Sequence, residues 1–486
     1  MYKRPTKQQQ LRQRITMFTI MIVSIVLLVT AIVLSLLGYR LDGDNGRLEQ
    51  GALVQFDSIP ASARVSIDSQ ATTLQTPNKR SVMAGVHTFM FERDQYRSWS
   101  KSLDLVAGTL TRLNYVRLVP STVSTDVIRE YSAVTAMKAA PDRRSLLVQT
   151  DSSRQVFQKV AIQDREVRSS DLVLPADLYS QSAAPGVTHR FTLGEWDESG
   201  RYILVQHDFN ESNEWLVVDT EAVGRSQNVS RLLGINFSDL QFSGTSGNVL
   251  YGLTDGILRK VDLSGATISR ALVNGVTSFE LYDTNVATYV GRDPASGVTV
   301  AGLYRDGDDE PVILERGETA EASLAIDTSS YFNDQYIAIA KDRQVTVYRG
   351  NFPTSSRDLS SLEIVETITV SGAVSSLSFS PEGDYVVAQT GAGFVSYEVE
   401  YDRLNRVRLS SDEVQTQTMR WLDTAYLWAV LDNKLMTREF DGNYAHSLMP
   451  AMEGLDVSLS PNGRFMYAMT QTPTGYALQR ATMILE

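Results

Sequence analysis

Residues Leu377-Ser378-Phe379-Ser380-Pro381-Glu382-Gly383-Asp384-Tyr385-Val386-Val387-Ala388 return as Val457-Ser458-Leu459-Ser460-Pro461-Asn462-Gly463-Arg464-Phe465-Met466-Tyr467-Ala468. In both copies a short alternating segment precedes a tight turn and a continuous apolar run follows it. Pro fixes φ at the second turn position, and Gly takes the positive φ that closes the hairpin. Weaker copies are Trp196 to Val205, with Ser199-Gly200 in the turn, and Ala140 to Val148, with Pro141-Asp142. Phe242-Ser243-Gly244, Tyr282-Asp283, Asn333-Asp334 and Leu422-Asp423 are degenerate forms.

These eight turns stand roughly 40 to 55 residues apart, the length of four short antiparallel strands. Runs such as Tyr202 to Val205 and Tyr385 to Ala388 suit strands buried on both faces. A further strand follows at Glu214 to Val218, Leu258 to Val261, Val345 to Val347 and Phe394 to Glu398. The expectation over 121–486 is therefore an all-β propeller of eight blades, with seven as the alternative count. The last unit has about three strands before Glu486, so Ser121 to Ser132 is expected to close it. The Ser-Pro-x-Gly-x-Tyr turns resemble those of WD-like and TolB-like propellers, although the Trp-Asp and Gly-His signatures of true WD repeats are missing. That resemblance implies architecture and no particular chemistry.

Toward the N-terminus, Ile15 to Tyr39 carries no charge and is rich in Ile, Val, Leu and Met. As a helix it is long enough to cross a hydrocarbon core of roughly 30 Å. The run exceeds a signal-peptide core, and Ser35-Leu36-Leu37-Gly38 suits a cleavage site poorly. Lys3, Arg4, Lys7, Arg12 and Arg14 precede it, whereas Asp42 and Asp44 follow. The positive-inside rule then leaves residues 1–14 as a cytoplasmic tail, 15–39 as the transmembrane helix and the body outside. Residues 40–50, with Gly43 and Gly46, read as a linker.

Residues 51–120 carry short alternating strands around Pro60, Thr76-Pro77 and Gly85, a compact all-β unit. The series Val54, Ser58-Ile59-Pro60, Ala63, Val65, Ile67-Asp68, Thr76-Pro77, Gly85, His87, Tyr96, Leu118 and Pro120 resembles the PEGA domain, a small β-sandwich of prokaryotic surface proteins. Ala61 and Ser62 replace its name-giving Glu and Gly, and Ser69, Leu74 and Gln95 stand where glycines are usual. The resemblance implies a surface or wall-associated module without catalysis, and a structural role for His87.

The chemical inventory is thin. Zero cysteines exclude disulfides, thiolate metal sites and cysteine nucleophiles. The four histidines, His87, His189, His207 and His446, form no zinc-binding pattern, and no nucleophile elbow or phosphate loop occurs. Asp306 to Glu310 and Asp42 to Gly46 lack the sixth-position glycine and the twelfth-position carboxylate of a calcium loop, so both read as solvated loops. Trp196, Trp215, Trp421 and Trp428 read as packing between blades. Sequons at Asn210, Asn228 and Asn236 are discounted for a prokaryotic protein. The net charge is −12; without the five N-terminal cations, 40 basic residues face 57 acidic ones, a balance of −17 that repels nucleic acid.

No catalytic, cofactor-binding or metal-binding residue is assigned from sequence, and no cofactor is expected. The expected function is a membrane-anchored extracytoplasmic scaffold of the cell envelope, not an enzyme, whose propeller face binds a protein or glycan partner. The alternative is a polysaccharide hydrolase or lyase with an acidic site at the propeller mouth.

Overall fold

The apolar run near the N-terminus folds as one helix, Lys7–Leu36, in the computed structural model, which describes residues 7–36, 39–41, 48–162, 166–181, 186–410 and 418–485. Within it Arg14–Leu34 has a mean hydropathy of 2.9 and is long and apolar enough to span a membrane; none of it is buried by protein. Leaving these side chains in water costs about 25 cal/mol per Å² of apolar surface, so the helix favours hydrocarbon. The Asp42 to Gly46 cluster lies outside the described residues.

The chain divides into two units, Met1–Thr122 and Val123–Glu486. In the first, two four-stranded sheets form. One centres on Leu48–Ile59, antiparallel to Asn78–Met83 and parallel to Leu110–Arg117; the other runs Gln70–Gln75, Arg64–Ile67, Gly85–Glu92, Trp99–Leu105. Phe56 from the first sheet meets Phe89 and Phe91 of the second at ring distances of 5.5 and 6.0 Å, and all three are fully buried. The parallel pairing with Leu110–Arg117 has no signature in the alternation pattern. Three residues standing where the PEGA-like pattern has glycine, Ser62, Ser69 and Gln95, hold φ of 67°, 64° and 71°. The backbone there keeps a left-handed turn that side chains other than glycine adopt at a cost.

The second unit is a β-propeller of eight blades, each an antiparallel sheet of four strands, or five in blade 3. Every one of the eight turns read from sequence joins the first and second strands of a blade. Their chemistry recurs: Gly383 N–H donates to Ser380 O at 2.9 Å and Gly463 N–H to Ser460 O at 2.8 Å. The Ser380 and Ser460 hydroxyls then accept from Tyr385 N–H and Phe465 N–H, which open the next strands, at 3.1 and 2.9 Å. Asp197 and Asp423 do the same for Tyr202 and Tyr426 at 2.7 and 2.9 Å. The Ser of the motif is thus a cap on the following strand.

The ring closes where expected. Thr125–Tyr131 pairs antiparallel with Gly475–Thr482 as the outermost strand of blade 8. Tyr131, Tyr467 and Leu478 of that blade then pack against Met137, Leu146 and Val160 of blade 1. Similar apolar clusters fill other gaps, for example Val345 and Ala338 of blade 5 against Val386 and Ala388 of blade 6. Each innermost strand would otherwise expose a bare backbone edge. Side chains from the preceding blade cover several: Gln149 Nε2 donates to Phe191 O at 2.7 Å, Phe379 N–H to Asp327 Oδ2 at 2.7 Å, and Ala139 N–H to Asp456 Oδ2 at 3.1 Å.

Candidate functional site

Register brings eight polar side chains to one level of the innermost strands. Lys138, Gln241, Glu280, Asp327, Ser378, Arg420 and Ser458 pair respectively with Leu147, Tyr251, Thr288, Ala338, Val387, Trp428 and Tyr467, the same position of each second strand. Blade 2 contributes Glu195 from a bulge, where Gly194 and Glu195 together face Leu204; bulges commonly re-aim a side chain in this way. Asp239, two residues before Gln241, adds a fourth carboxylate. Acidic groups therefore occupy blades 2 to 5, while Lys138 and Arg420 stand on blades 1 and 7. Glu195, Glu280 and Arg420 are open to solvent, and Arg420 pairs with Asp456 at 2.9 Å.

These carboxylates feel one another, and the surrounding protein limits their hydration. Burial pushes Glu195 up, and repulsion from Asp239 and Glu280 adds to this against the pull of Lys138. Burial also raises Asp239 and Glu280. Asp327 moves furthest: burial, with the charge of Glu280, pushes it up to about 7 although Phe379 and Thr328 N–H groups pull the other way. Such an arc can attract a cation and can give or take a proton near neutrality. Among the described residues, no three His, Asp or Glu side chains are arranged to hold a metal ion.

A second constellation lies at the start of the innermost strand of blade 2. His189 Nδ1 is 2.9 Å from His207 Nε2, and His207 Nδ1 is 2.8 Å from Glu214 Oε1. His207 is sealed from solvent, stacked 4.5 Å from Phe191 and 5.0 Å from Phe209. Burial alone would raise Glu214, but hydrogen bonds from His207, from the N–H and hydroxyl of Ser180 and from Asn228 outweigh it and bring the carboxyl down to about 2. With Glu214 ionised, His207 donates to it from Nδ1 and meets His189 Nδ1 through Nε2. Nε2 of the half-buried His189 is then the open end of a proton relay, with no partner among the described residues.

The histidine spacing read from sequence addressed zinc alone and said nothing of this hydrogen-bonded chain. A search for local spacing misses the relay because His189 and His207 lie 18 residues apart and meet across neighbouring strands. The signal available was the hairpin: Asn210-Glu211 as a two-residue turn puts Glu214 directly opposite His207. His87 bonds Asp68 at 2.6 Å in the small sandwich, a structural tie between a turn and a strand. Asp306 is ion-paired with Lys260, and Arg270 donates to the carbonyls of Asp308 and Asp309. The four tryptophans pack between strands: Trp215 Nε1–H bonds Phe237 O at 2.9 Å and Trp421 Nε1–H bonds Ser378 Oγ at 3.0 Å.

No family model matches the chain, and neither does any curated protein. Solved structures align with it at low identity. The C-terminal WD40 domain of Sif2 covers 74% of this chain and 99% of its own at 11% identity, with a TM-score of 0.47. Porphyromonas gingivalis dipeptidyl peptidase 4 covers 71% of this chain and 57% of its own at 11% identity and 0.46. An oligogalacturonate lyase from Vibrio parahaemolyticus covers 74% and 98% at 10% identity and 0.38. Likenesses this distant carry no functional argument.

Proposed function

We propose that this protein is a membrane-anchored extracytoplasmic binding protein of a prokaryotic cell envelope, and that the channel of its propeller docks a protein or glycan partner through a cationic group. The observation that carries this reading is the charge-divided ring, four carboxylates on consecutive blades with two of them open to water. Lys3, Arg4, Lys7, Arg12 and Arg14 before the apolar helix support a cytoplasmic N-terminus. The PEGA-like sandwich suits a spacer or wall contact. Nucleic acid is disfavoured by the acidic body. A photo-crosslinking residue at Ser278, exposed on the innermost strand of blade 4, tests the docking in intact cells. One discrete adduct, lost in a Glu195→Gln/Glu280→Gln double variant, is expected. An adduct indifferent to those charges overturns it.

One observation favours a second reading, a hydrolase or lyase acting on envelope polysaccharide. Asp327, holding its proton to about 7 beside Glu280, has the disposition of an acid–base pair. Turnover on a panel of cell-wall and surface glycans, abolished by Glu280→Gln, is its signature; absence of turnover on the whole panel rules it out.

A further inference from the structure

The outer edges of blades 2 and 3 are shorter than the rest, blade 3 ending in the two-residue strands Thr267–Ile268 and Val273–Asn274. Where blades 1, 4, 5 and 6 carry outer strands of five to seven residues, blade 2 has only Gln227–Asn228, between a 3-10 turn, Val223–Arg225, and an α-helix, Val229–Leu233. Local departures from a repeated pattern are where function is to be sought. Between this segment and the turn at Pro175 to Leu178 lies a cavity of about 320 Å³, within the size range of small-molecule sites.

Its walls are braced from behind. Asn228, 8% exposed, forms the back and donates to both Leu178 O at 3.0 Å and Glu214 Oε2 at 2.8 Å. Glu214 in turn holds Ser180 N–H and Oγ at 2.6 and 2.9 Å, so one buried carboxylate ties the two sides of the cavity together. A cavity held open by a satisfied buried network is preorganised for a ligand. Asp177, Gln227 and Arg231 are among its lining residues. The Asp177 carboxylate and the Gln227 amide make no hydrogen bond or ion pair among the described residues, and Arg231 uses only Nη1, on Asp177 O at 2.7 Å. Leu178 and the exposed Leu232 supply apolar surface.

We propose that this cavity binds a neutral pyranose ring. A carboxylate accepts, a guanidinium donates and an amide does both, which matches the adjacent hydroxyls of a sugar, each of which is donor and acceptor. The leucines suit its C–H face. An anion is opposed by Asp177, a cation by Arg231, and an apolar ligand would leave three polar groups desolvated and unpaired. The site is separate from the channel and does not rest on the channel reading.

The test is saturation-transfer NMR on the full chain in a detergent without a sugar headgroup. Glucose, galactose, N-acetylglucosamine, glucuronate and glucosamine are each tried at up to roughly 20 mM, since single-ring ligands bind at millimolar levels. Transfer to ring protons of at least one neutral sugar is expected. It should fall about fivefold or more in Asp177→Asn/Gln227→Ala, and persist in Lys79→Ala in the small sandwich. Arg231→Lys, which keeps the charge but loses the planar fork, should weaken it too. No transfer from the neutral sugars, strongest transfer to glucuronate or glucosamine, or equal transfer in a double variant that still melts cooperatively overturns the proposal.

Discussion

Glu214 and His207 face each other across adjacent strands of blade 2, 2.8 Å apart, with side chains 6% and 0% exposed. The pair is an ionised carboxylate held by a buried imidazole, and hydrogen bonds from Ser180 and Asn228 complete the shell that keeps the charge inside the blade.

Glu214→Gln is expected to cost about 3 kcal/mol at pH 7, the worth of a carboxyl whose folded value lies near 2 against about 4.3 unfolded. Because the folded value is the lower one, this stabilisation is complete above the unfolded value and is lost as the pH falls toward 2. Urea unfolding of wild type and variant between pH 7 and pH 3 checks this. A gap that does not narrow on acidification would show that shape, not charge, is at stake.

Asp327 has the opposite sign. Its folded carboxyl titrates at about 7, so between roughly pH 4 and 7 the unfolded chain gives up a proton that the folded one keeps, and stability declines through that window by at most about 4 kcal/mol. Glu280→Gln removes a repelling charge and should lower the Asp327 midpoint by up to about one unit. Infrared titration of the protonated carboxyl reads the shift directly; an unmoved midpoint would leave burial as its sole cause.

Backbone geometry gives a paired prediction. Gln95→Gly relieves a left-handed residue at φ 71° and should stabilise the small sandwich by about 0.5–1 kcal/mol. Gly383→Ala should do the reverse by about 2–3 kcal/mol, because φ is +80° and a Cβ would collide with the Ser330 carbonyl oxygen. Thermal melts of the two variants suffice.

Tyr131 ends the closing strand and is 7% exposed, with a buried hydroxyl that finds no hydrogen-bond partner among the described residues. Tyr131→Phe is therefore expected to be neutral or stabilising, whereas Tyr131→Ala should cost about 3–4 kcal/mol. Denaturant midpoints distinguish the two; equal losses would mean the hydroxyl is satisfied by water.

The propeller could be read from Ser380-Pro381-Glu382-Gly383 and its copies because turn chemistry is local, carried by residues that bond to their own neighbours. Closure by the segment before Ser132 followed from counting strands. The charged ring was not legible: Glu280 and Asp327 are ordinary polar residues in alternating strands, and only the register of eight sheets puts them at one level. The relay was hidden for the same reason, although the Asn210-Glu211 turn pointed to half of it. In the sandwich, alternation revealed the strands but not the parallel pairing of Leu53 with Leu110, which depends on contacts distant in sequence.

Asp126 and Arg480, joined across the closing strand pair, are 354 residues apart in the chain. Thr125–Tyr131 is among the first propeller segments to be made, yet it must wait for nearly the last before it has a partner. Loop closure over such a length costs entropy that grows only logarithmically, so the delay imposes little penalty at equilibrium, while long-range pairing of this kind is slow to form. A nascent propeller therefore stays an unsealed ring, with a bare strand edge at each end, until synthesis has passed Gly475. A message truncated short of that point yields a molecule that never locks and that quality-control proteases can recognise by its open seam.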